Sequence, residues 1–278
     1  MSRIVPQPER AGLPVRTCRL GRVEYVETAR LQRSLRAARE ARAIDDVLLL
    51  LEHDPVITCG TRTEATEVAY ARTTGVPLVP VERGGKATYH GPGQVVAYPI
   101  FDVALVGGDV KQLVWRLEEA IVRSLRAHGL ETARRDGYPG VWVEPETRPR
   151  KIASVGLRLT RGVTFHGIAI NVACDLTPFT WFTPCGIPDA QMTSLARELG
   201  REGDDPTSLV ELVRGVEREF EVAVTELFAM EASPVDRGVL DAVAERHPVE
   251  EPELILPGEP RMRRATRIDL TAAGASVR

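Results

Sequence analysis

Apolar positions along the chain follow two periods, and the change from one to the other marks out the elements. Val47 to Leu51 and the run from Gln94 to Phe101 are nearly continuous apolar stretches of strand length, as strands covered on both faces should be. Val76 to Val81 predicts another short strand, ending at the loop Arg83-Gly84-Gly85, and Val141 to Glu144 a further one. Leu31, Leu35 and Ala38 share one face of a helix that Thr28 can cap and that runs to about Arg42. Leu113, Leu117, Ile121 and Leu125 recur at helical spacing behind the cap Asp109, with Gly129 as the stop. Lys151 to Thr160 and Val163 to Ala173 read as a hairpin closed at Arg161-Gly162. Leu176 to Pro188 reads as a proline-rich loop. Pro206 opens a helix to about Phe228, and a shorter one covers Val235 to Arg246. Strands mixed with helices, one pair of them a hairpin, predict an α/β fold with a mixed β-sheet packed with helices.

The expected domain plan has three parts. Residues 1–17, with three prolines and little periodicity, read as a loose arm. Residues 18–232 form the main domain. Residues 233–278 read as an extension holding a short helix and a loose tail rich in proline and charge.

Composition narrows the class. Of 278 residues, 43% are hydrophobic and 27% charged, and the formal net charge is −3. That is a globular chain with no overall field directed at nucleic acid or an anionic membrane. No apolar run approaches the roughly 20 residues of a membrane span, and the start lacks a secretory core. A cytoplasmic location is expected. The cysteines Cys18, Cys59, Cys174 and Cys185 form no CxxC pair, so reduced thiols are expected, three of them packing as small hydrophobes. Of 36 basic residues only Lys86, Lys111 and Lys151 are lysines, leaving 33 arginines. Where such a chain keeps lysine, a role that needs deprotonation is worth weighing, because arginine cannot deprotonate.

Candidate chemistry collects in three polar loops attached to apolar strands. The first is Arg83-Gly84-Gly85-Lys86-Ala87-Thr88-Tyr89-His90-Gly91-Pro92-Gly93-Gln94. Its glycines allow close backbone approach to a ligand, while a plain long turn with a satisfied histidine is the bland alternative. Neither GxxxxGK[ST] nor GxGxxG occurs, which argues against a nucleotide loop. The second runs from Lys151-Ile152-Ala153-Ser154-Val155-Gly156 back through Phe165-His166-Gly167-Ile168-Ala169-Ile170-Asn171. Lys151 there is either a solvated strand end or an amine at a pocket wall, and His166 either a core histidine or a functional one. The third is Thr183-Pro184-Cys185-Gly186, where a cysteine without bulky neighbours can be a nucleophile or an inert thiol. Zinc held by His166, Cys174 and Cys185 would lack a fourth ligand and fits no zinc spacing, so no metal is expected.

Together these segments resemble the octanoyltransferase family, also called lipoate–protein ligase B. The RGGxxTYHGPGQ run, the KIASVG strand, the FHGIAINV return, the PCG loop and the earlier His53-Asp54-Pro55-Val56-Ile57-Thr58-Cys59-Gly60 turn stand in the family's order, over about residues 18–200. Cys59 and Thr183 depart from the family's usual residues, at positions without a catalytic role. The resemblance implies a mixed-sheet α/β domain like that of biotin and lipoate protein ligases. It makes Cys185 the acyl-thioester nucleophile and Lys151 its proton partner. It makes Arg83, Gly84, Gly85, Lys86, Ala87, Thr88, Tyr89, His90, Ser154, Val155, Gly156, His166, Gly167 and Ile168 walls of the acyl pocket. It implies an octanoyl acyl carrier protein as donor, with lipoyl domains of 2-oxoacid dehydrogenases and the glycine-cleavage carrier protein as acceptors. No cofactor is implied.

The chemistry suits those residue types on its own terms. Free cysteine titrates near about 8.5 and lysine near about 10.4, so a close pair favours thiolate and ammonium. Thioester exchange costs little, and aminolysis to an amide runs downhill, so ATP is unnecessary. The oxyanion would take backbone donors near Cys185 or Gly84-Gly85. An ATP-dependent ligase of the same fold would not need the cysteine. A thiol hydrolase pairing Cys185 with His90 or His166, and a non-catalytic binder of lipoyl domains, are the rivals from other classes.

Overall fold

The computed structural model describes residues 12–144, 146–184 and 191–259. In chain order the elements are β1 (Leu13–Val23), α1 (Tyr25–Glu40), β2 (Asp46–His53), β3 (Val56–Cys59), β4 (Leu78–Pro80), β5 (Thr88–His90) and β6 (Gln94–Ile100). Then come α2 (Val110–Ala127), β7 (Ala133–Arg135), β8 (Tyr138–Val143), β9 (Arg150–Thr160), β10 (Val163–Asn171) and β11 (Gln191–Met192). The described chain ends with α3 (Leu195–Glu198), α4 (Pro206–Phe228), β12 (Met230–Pro234) and α5 (Arg237–Arg246). The large sheet runs β12-β1-β2-β6-β10-β9-β8-β7, with β11 beside β9, and a small sheet runs β4-β3-β5. β1 is parallel to both β2 and β12, while the path from β2 to β7 is antiparallel, so the sheet is mixed as expected.

Period-two alternation on β2 explains why the sheet is central. Leu48 and Leu50 pack with Leu117, Ile121, Val216 and Phe220 of α2 and α4 on one face. Val47, Leu49 and Leu51 pack with Leu31 and Leu35 of α1 and Leu240 of α5 on the other. Both faces are thus covered, and an apolar run without polar alternation is the result. Cys18 belongs to the second cluster, and Cys59 and Cys174 to a third under the small sheet. All three are buried free thiols, as expected for small hydrophobes.

Boundaries shift where side chains other than the expected ones cap. α1 starts at Tyr25, because the Glu24 carboxylate accepts from the N–H groups of Val26 and Glu27, both at 2.8 Å. Thr28 is therefore inside the first turn, donating to the Glu24 carbonyl at 2.7 Å. α2 begins behind Asp109 as expected, and α4 behind Asp205. The hairpin closes at Arg161 and Gly162 with φ of 49° and 83°, both left-handed as the tight two-residue turn needs.

The three-part domain plan needs correction. Residues 13–17, read as part of a loose arm, are the first half of β1 and pair with both Met230–Pro234 and β2. Cuts at 17/18 and 232/233 would split two paired strands of one sheet. The tail is not loose through residue 259 either. Glu251 bonds Arg33 at 2.6 Å, Arg72 donates to the Pro257 carbonyl at 2.6 Å, and Leu256 packs on the cluster under the small sheet. Charge density hid these contacts, because ion pairing across 200 residues has no local pattern. Deleting residues 247–278 is expected to lower unfolding free energy by about 1–3 kcal/mol, from one apolar contact and half-exposed ion pairs. A urea midpoint equal to that of the intact chain would refute this.

Candidate active site

A cavity of about 310 Å³ opens where β5, the middle of β9 and the middle of β10 meet. The first two polar segments bear on it, though not every residue in them, while Thr183 and Pro184 of the third line a separate cavity. Thr88 and His90 line the cavity, whereas Ala87 and Tyr89 lie in the apolar cluster below, Tyr89 edge-on to Phe179 at 5.6 Å. Strand alternation makes that division, so Ala87 and Tyr89 are corrected from pocket wall to support. Gly84, Gly85, Lys86, Ser154, Val155, Gly156, His166, Gly167 and Ile168 line the cavity with Arg83 and Lys151. Tyr25, Arg62, Tyr98, Gly137, Tyr138, Pro139 and Ala169 join them and were missed in the sequence. Tyr98 alone carried a signal there, as the one hydroxyl in an apolar strand. Cys185 lies outside the described residues.

Arg83 organises the glycine loop from inside. Its guanidinium donates to the carbonyls of Gly84 at 3.1 Å, Lys86 at 2.8 Å and Thr58 at 2.9 Å, and to the Thr58 hydroxyl at 2.7 Å. The loop is also sewn to the preceding one, where Thr61 N–H and Arg62 N–H donate to the Arg83 and Gly85 carbonyls. A Cβ on Gly60 would lie 2.5 Å from the Gly85 oxygen, so the two backbones touch only because that position is glycine. Lys86 reaches outward to pair with Glu67.

Three histidines surround the inner end. His53 Nδ1 lies 2.9 Å from the Val23 carbonyl, so that nitrogen carries the proton, and Nε2 accepts from the Tyr98 hydroxyl at 2.7 Å. Burial pushes His53 down to about 4, leaving it neutral. His90 Nδ1 donates to Gln94 Oε1 at 3.3 Å, the Gln94 amide donates to Asn171 at 2.9 Å, and Asn171 donates to the Thr193 carbonyl at 3.0 Å. Burial also takes His90 well below the ordinary histidine value, with the neighbouring His53 adding to the effect. Tyr25 stacks on His90 at 6.1 Å.

His166 is the most strained of the three. Its φ is +58°, unusual for any residue with a side chain. Its backbone N–H donates to Gln32 at 2.8 Å, while among the described residues neither ring nitrogen has a hydrogen-bond partner. Glu82 stands 3.9 Å from Nε2 and favours the imidazolium, yet burial prevails and His166 is pushed down to about 3. A strained, orphaned polar ring at a cavity wall is what a ligand-contacting residue looks like before the ligand arrives.

The pH dependence of stability follows from these rings. In the unfolded chain they take up protons near about pH 6.5, while in the folded chain they resist until about 4 for His53 and about 3 for His166. The unfolded state therefore binds more protons in that window, and stability falls with falling pH by up to about 1.4 kcal/mol per unit for each ring. Urea midpoints measured from pH 7 to pH 4.5 should fall steeply, and the His166→Asn variant should show a shallower slope. An equal slope in that variant would refute the assignment.

Lys151 sits in the cavity wall at 3% exposure, its Nζ 5.3 Å from the centre of the Trp142 ring, its register partner on β8. Its charge holds down the pKa of Glu118, which burial raises and which the Gly140 N–H and Arg134 also oppose. On the other side of β9, Met192 pairs with Lys151 and Thr193 N–H donates to the Lys151 carbonyl at 3.0 Å. The segment that follows the PCG loop is thereby fastened to the lysine's own strand. Gly140, with φ of +113°, leaves room for the amine: a Cβ there would lie 2.3 Å from the Ala153 oxygen and 2.8 Å from Lys151 Cε. Gly140→Ala is expected to cost about 1–3 kcal/mol of stability. By displacing the amine it should also cut turnover on the order of 10²-fold. Turnover within twofold of the parent at a temperature where both are folded would contradict this.

Cys59 and Cys174 offer no alternative nucleophile, since burial pushes their thiols up to about 11 and about 12. Among the described residues no group of three or more histidine, cysteine or carboxylate side chains is placed to hold a metal. No described helix is long and apolar enough to cross a membrane.

Known proteins resemble this chain in sequence and in fold. The family model of the lipoyl protein ligase A/B catalytic domain matches residues 24–220. An octanoyltransferase of Mycobacterium sp. (strain KMS) is 48% identical over 190 residues, covering 68% of this chain and 78% of the relative. One from Caldicellulosiruptor saccharolyticus is 41% identical over 196 residues, covering 68% and 82%. A crystal structure of lipoate-protein ligase A bound with ATP superposes with a TM-score of 0.59 at 17% identity, covering 84% of this chain and 93% of that one. A bipartite lipoate protein ligase from Thermoplasma acidophilum, solved in a study with its E2 lipoyl domain, gives 0.58 at 18% identity, covering 84% and 91%. At such identities the likeness of the solved structures is one of fold.

Proposed function

The chain belongs to the lipoyl protein ligase A/B family as one of its octanoyltransferases, and from that premise we propose that Cys185 and Lys151 carry the acyl group between two carrier proteins. It is an acyltransferase of lipoate biosynthesis. The donor in this reading is an octanoyl acyl carrier protein. The acceptors are lysines on lipoyl domains of 2-oxoacid dehydrogenases and on the glycine-cleavage carrier protein. A cytoplasmic location is part of the same reading.

The observation that carries the reading is the burial of Lys151 in the wall of a cavity whose two lining histidines, His90 and His166, are held neutral. An amine there is able to exchange a proton with a thiol brought beside it. In the first half-reaction the Cys185 thiolate adds to the donor's thioester carbon. The bond from that carbon to the carrier sulfur then breaks, and the departing thiolate takes a proton from the Lys151 ammonium. Lys151 is left neutral and accepts one proton from the incoming lysine ammonium. The freed amine adds to the Cys185 thioester, its second proton leaves to solvent, and the amide forms as the Cys185 thiolate departs. Backbone N–H groups at Gly84-Gly85, in the cavity wall, are assigned to the oxyanion of both tetrahedral intermediates.

Incubation with octanoyl carrier protein in the absence of ATP tests the scheme. Peptide mapping is expected to find a hydroxylamine-sensitive octanoyl adduct on Cys185, which disappears when a lipoyl domain is added. An adduct elsewhere, or one that needs ATP, would overturn it in favour of a ligase.

A further inference from the structure

A second cavity of about 860 Å³ adjoins the acyl cavity, and Gly137, Tyr138 and Pro139 line both. Resting on the reading above, we infer that this groove receives the phosphopantetheine arm of the thioester donor, with Lys111 and Arg135 holding its phosphate. One wall is the first two turns of α2, and the other is the β7–β8 turn. The groove therefore opens off the acyl cavity at that turn.

The lining suits an arm that is amphipathic along its length. Val110 and Val114 supply apolar surface, and Gln112 an amide that can bond the arm's own amides. The groove holds three cations and three carboxylates, Lys111, Arg134 and Arg135 against Asp109, Glu118 and Asp136, but most of these are already engaged. Asp109 caps α2 through the N–H groups of Lys111 and Gln112. Arg134 pairs with Glu118 at 3.3 Å and Glu119 at 2.8 Å, and lies over the Trp115 ring. That leaves Lys111 and Arg135 against Asp136. Among the described residues neither cation has a carboxylate in ion-pair range, and Arg135 is held over the rings of Tyr138 and Trp142 at 4.4 and 5.3 Å. Two cations outside ion-pair range of any described carboxylate match a phosphate dianion or diester. The placement also absorbs a feature of the sequence: all three lysines, Lys86, Lys111 and Lys151, line one or other of these adjoining cavities.

The test compares octanoyl-pantetheine with octanoyl-phosphopantetheine as donors, reading transfer to a lipoyl domain. The quantity followed is the ratio of kcat/KM for the phosphorylated donor over that for the unphosphorylated one. The parent enzyme should favour the phosphorylated donor by about tenfold, mostly through KM, with the preference fading as salt is raised. Lys111→Ala and Arg135→Ala should each bring the ratio down several-fold, and Asp136→Asn should raise it. A variant that merely damages the fold lowers both donors together and leaves the ratio unmoved. A parent ratio near one, or a ratio indifferent to all three substitutions, overturns the groove assignment while leaving the transfer reaction standing. Failure of the parent to transfer from either donor or from octanoyl carrier protein overturns the reaction as well.

Discussion

Lys151→Arg is expected to form the acyl-Cys185 adduct but to pass it to the lipoyl domain more slowly by on the order of 10²–10⁴-fold, the usual worth of a positioned general base. Arginine keeps the positive charge that favours a thiolate. It cannot shed that charge to accept a proton from the target ammonium, because its pKa stays above about 12. The buried setting sharpens the contrast, since Lys151 is 3% exposed and flanked by Gly140 and Trp142. Lys151→Ala should slow both half-reactions and leave Glu118 without a cation that now holds its pKa down. Single-turnover measurements separate acylation from transfer. The pH profile will report the cysteine–lysine pair as a unit rather than either group alone. If Lys151→Arg transfers within a fewfold of the parent rate, the proton-acceptor role is wrong and only the electrostatic one survives.

Cys185→Ser should lose on the order of 10³-fold or more in overall transfer while still binding the acyl donor. A serine hydroxyl beside a lysine is a far weaker nucleophile than a thiolate at neutral pH. The remaining cysteines cannot replace it: Cys59 and Cys174 have thiols pushed far up by burial, and Cys18 is buried and raised by the same cause. Intact-mass measurement should therefore find no octanoyl adduct on the variant. An adduct of undiminished yield would remove Cys185 from the mechanism.

Both predictions began with local motifs. The RGGKATYHGPGQ and KIASVG segments could be recognised because glycine at a close approach and lysine among arginines leave a mark in residue identity itself. The same holds for the elements with strong periods. β2, β6, α2, α4 and the β9–β10 hairpin are where the apolar pattern put them, since burial on one or both faces of an element is written in its own residues. Weakly patterned pieces escaped. β12 and the first half of β1 are short edge or near-edge segments with mixed burial, and pairing with a strand more than 200 residues away decides their form.

Residue identity alone thus determined the family, the mixed fold and the lysine, histidine and cysteine worth testing. Tertiary structure decided which side of β5 meets the cavity, separating Thr88 and His90 from Ala87 and Tyr89. It brought Tyr25, Arg62 and Tyr98 to that cavity, fixed the His53 tautomer through a carbonyl 30 positions away, and fastened the tail through Glu251 to Arg33. It also set the second cavity against the first across a single turn. The physical reason is the range of the interactions. Propensity and amphipathic period act within a few residues and are legible in the chain, whereas burial, ion pairing and cavity shape depend on contacts between distant segments that exist only after folding.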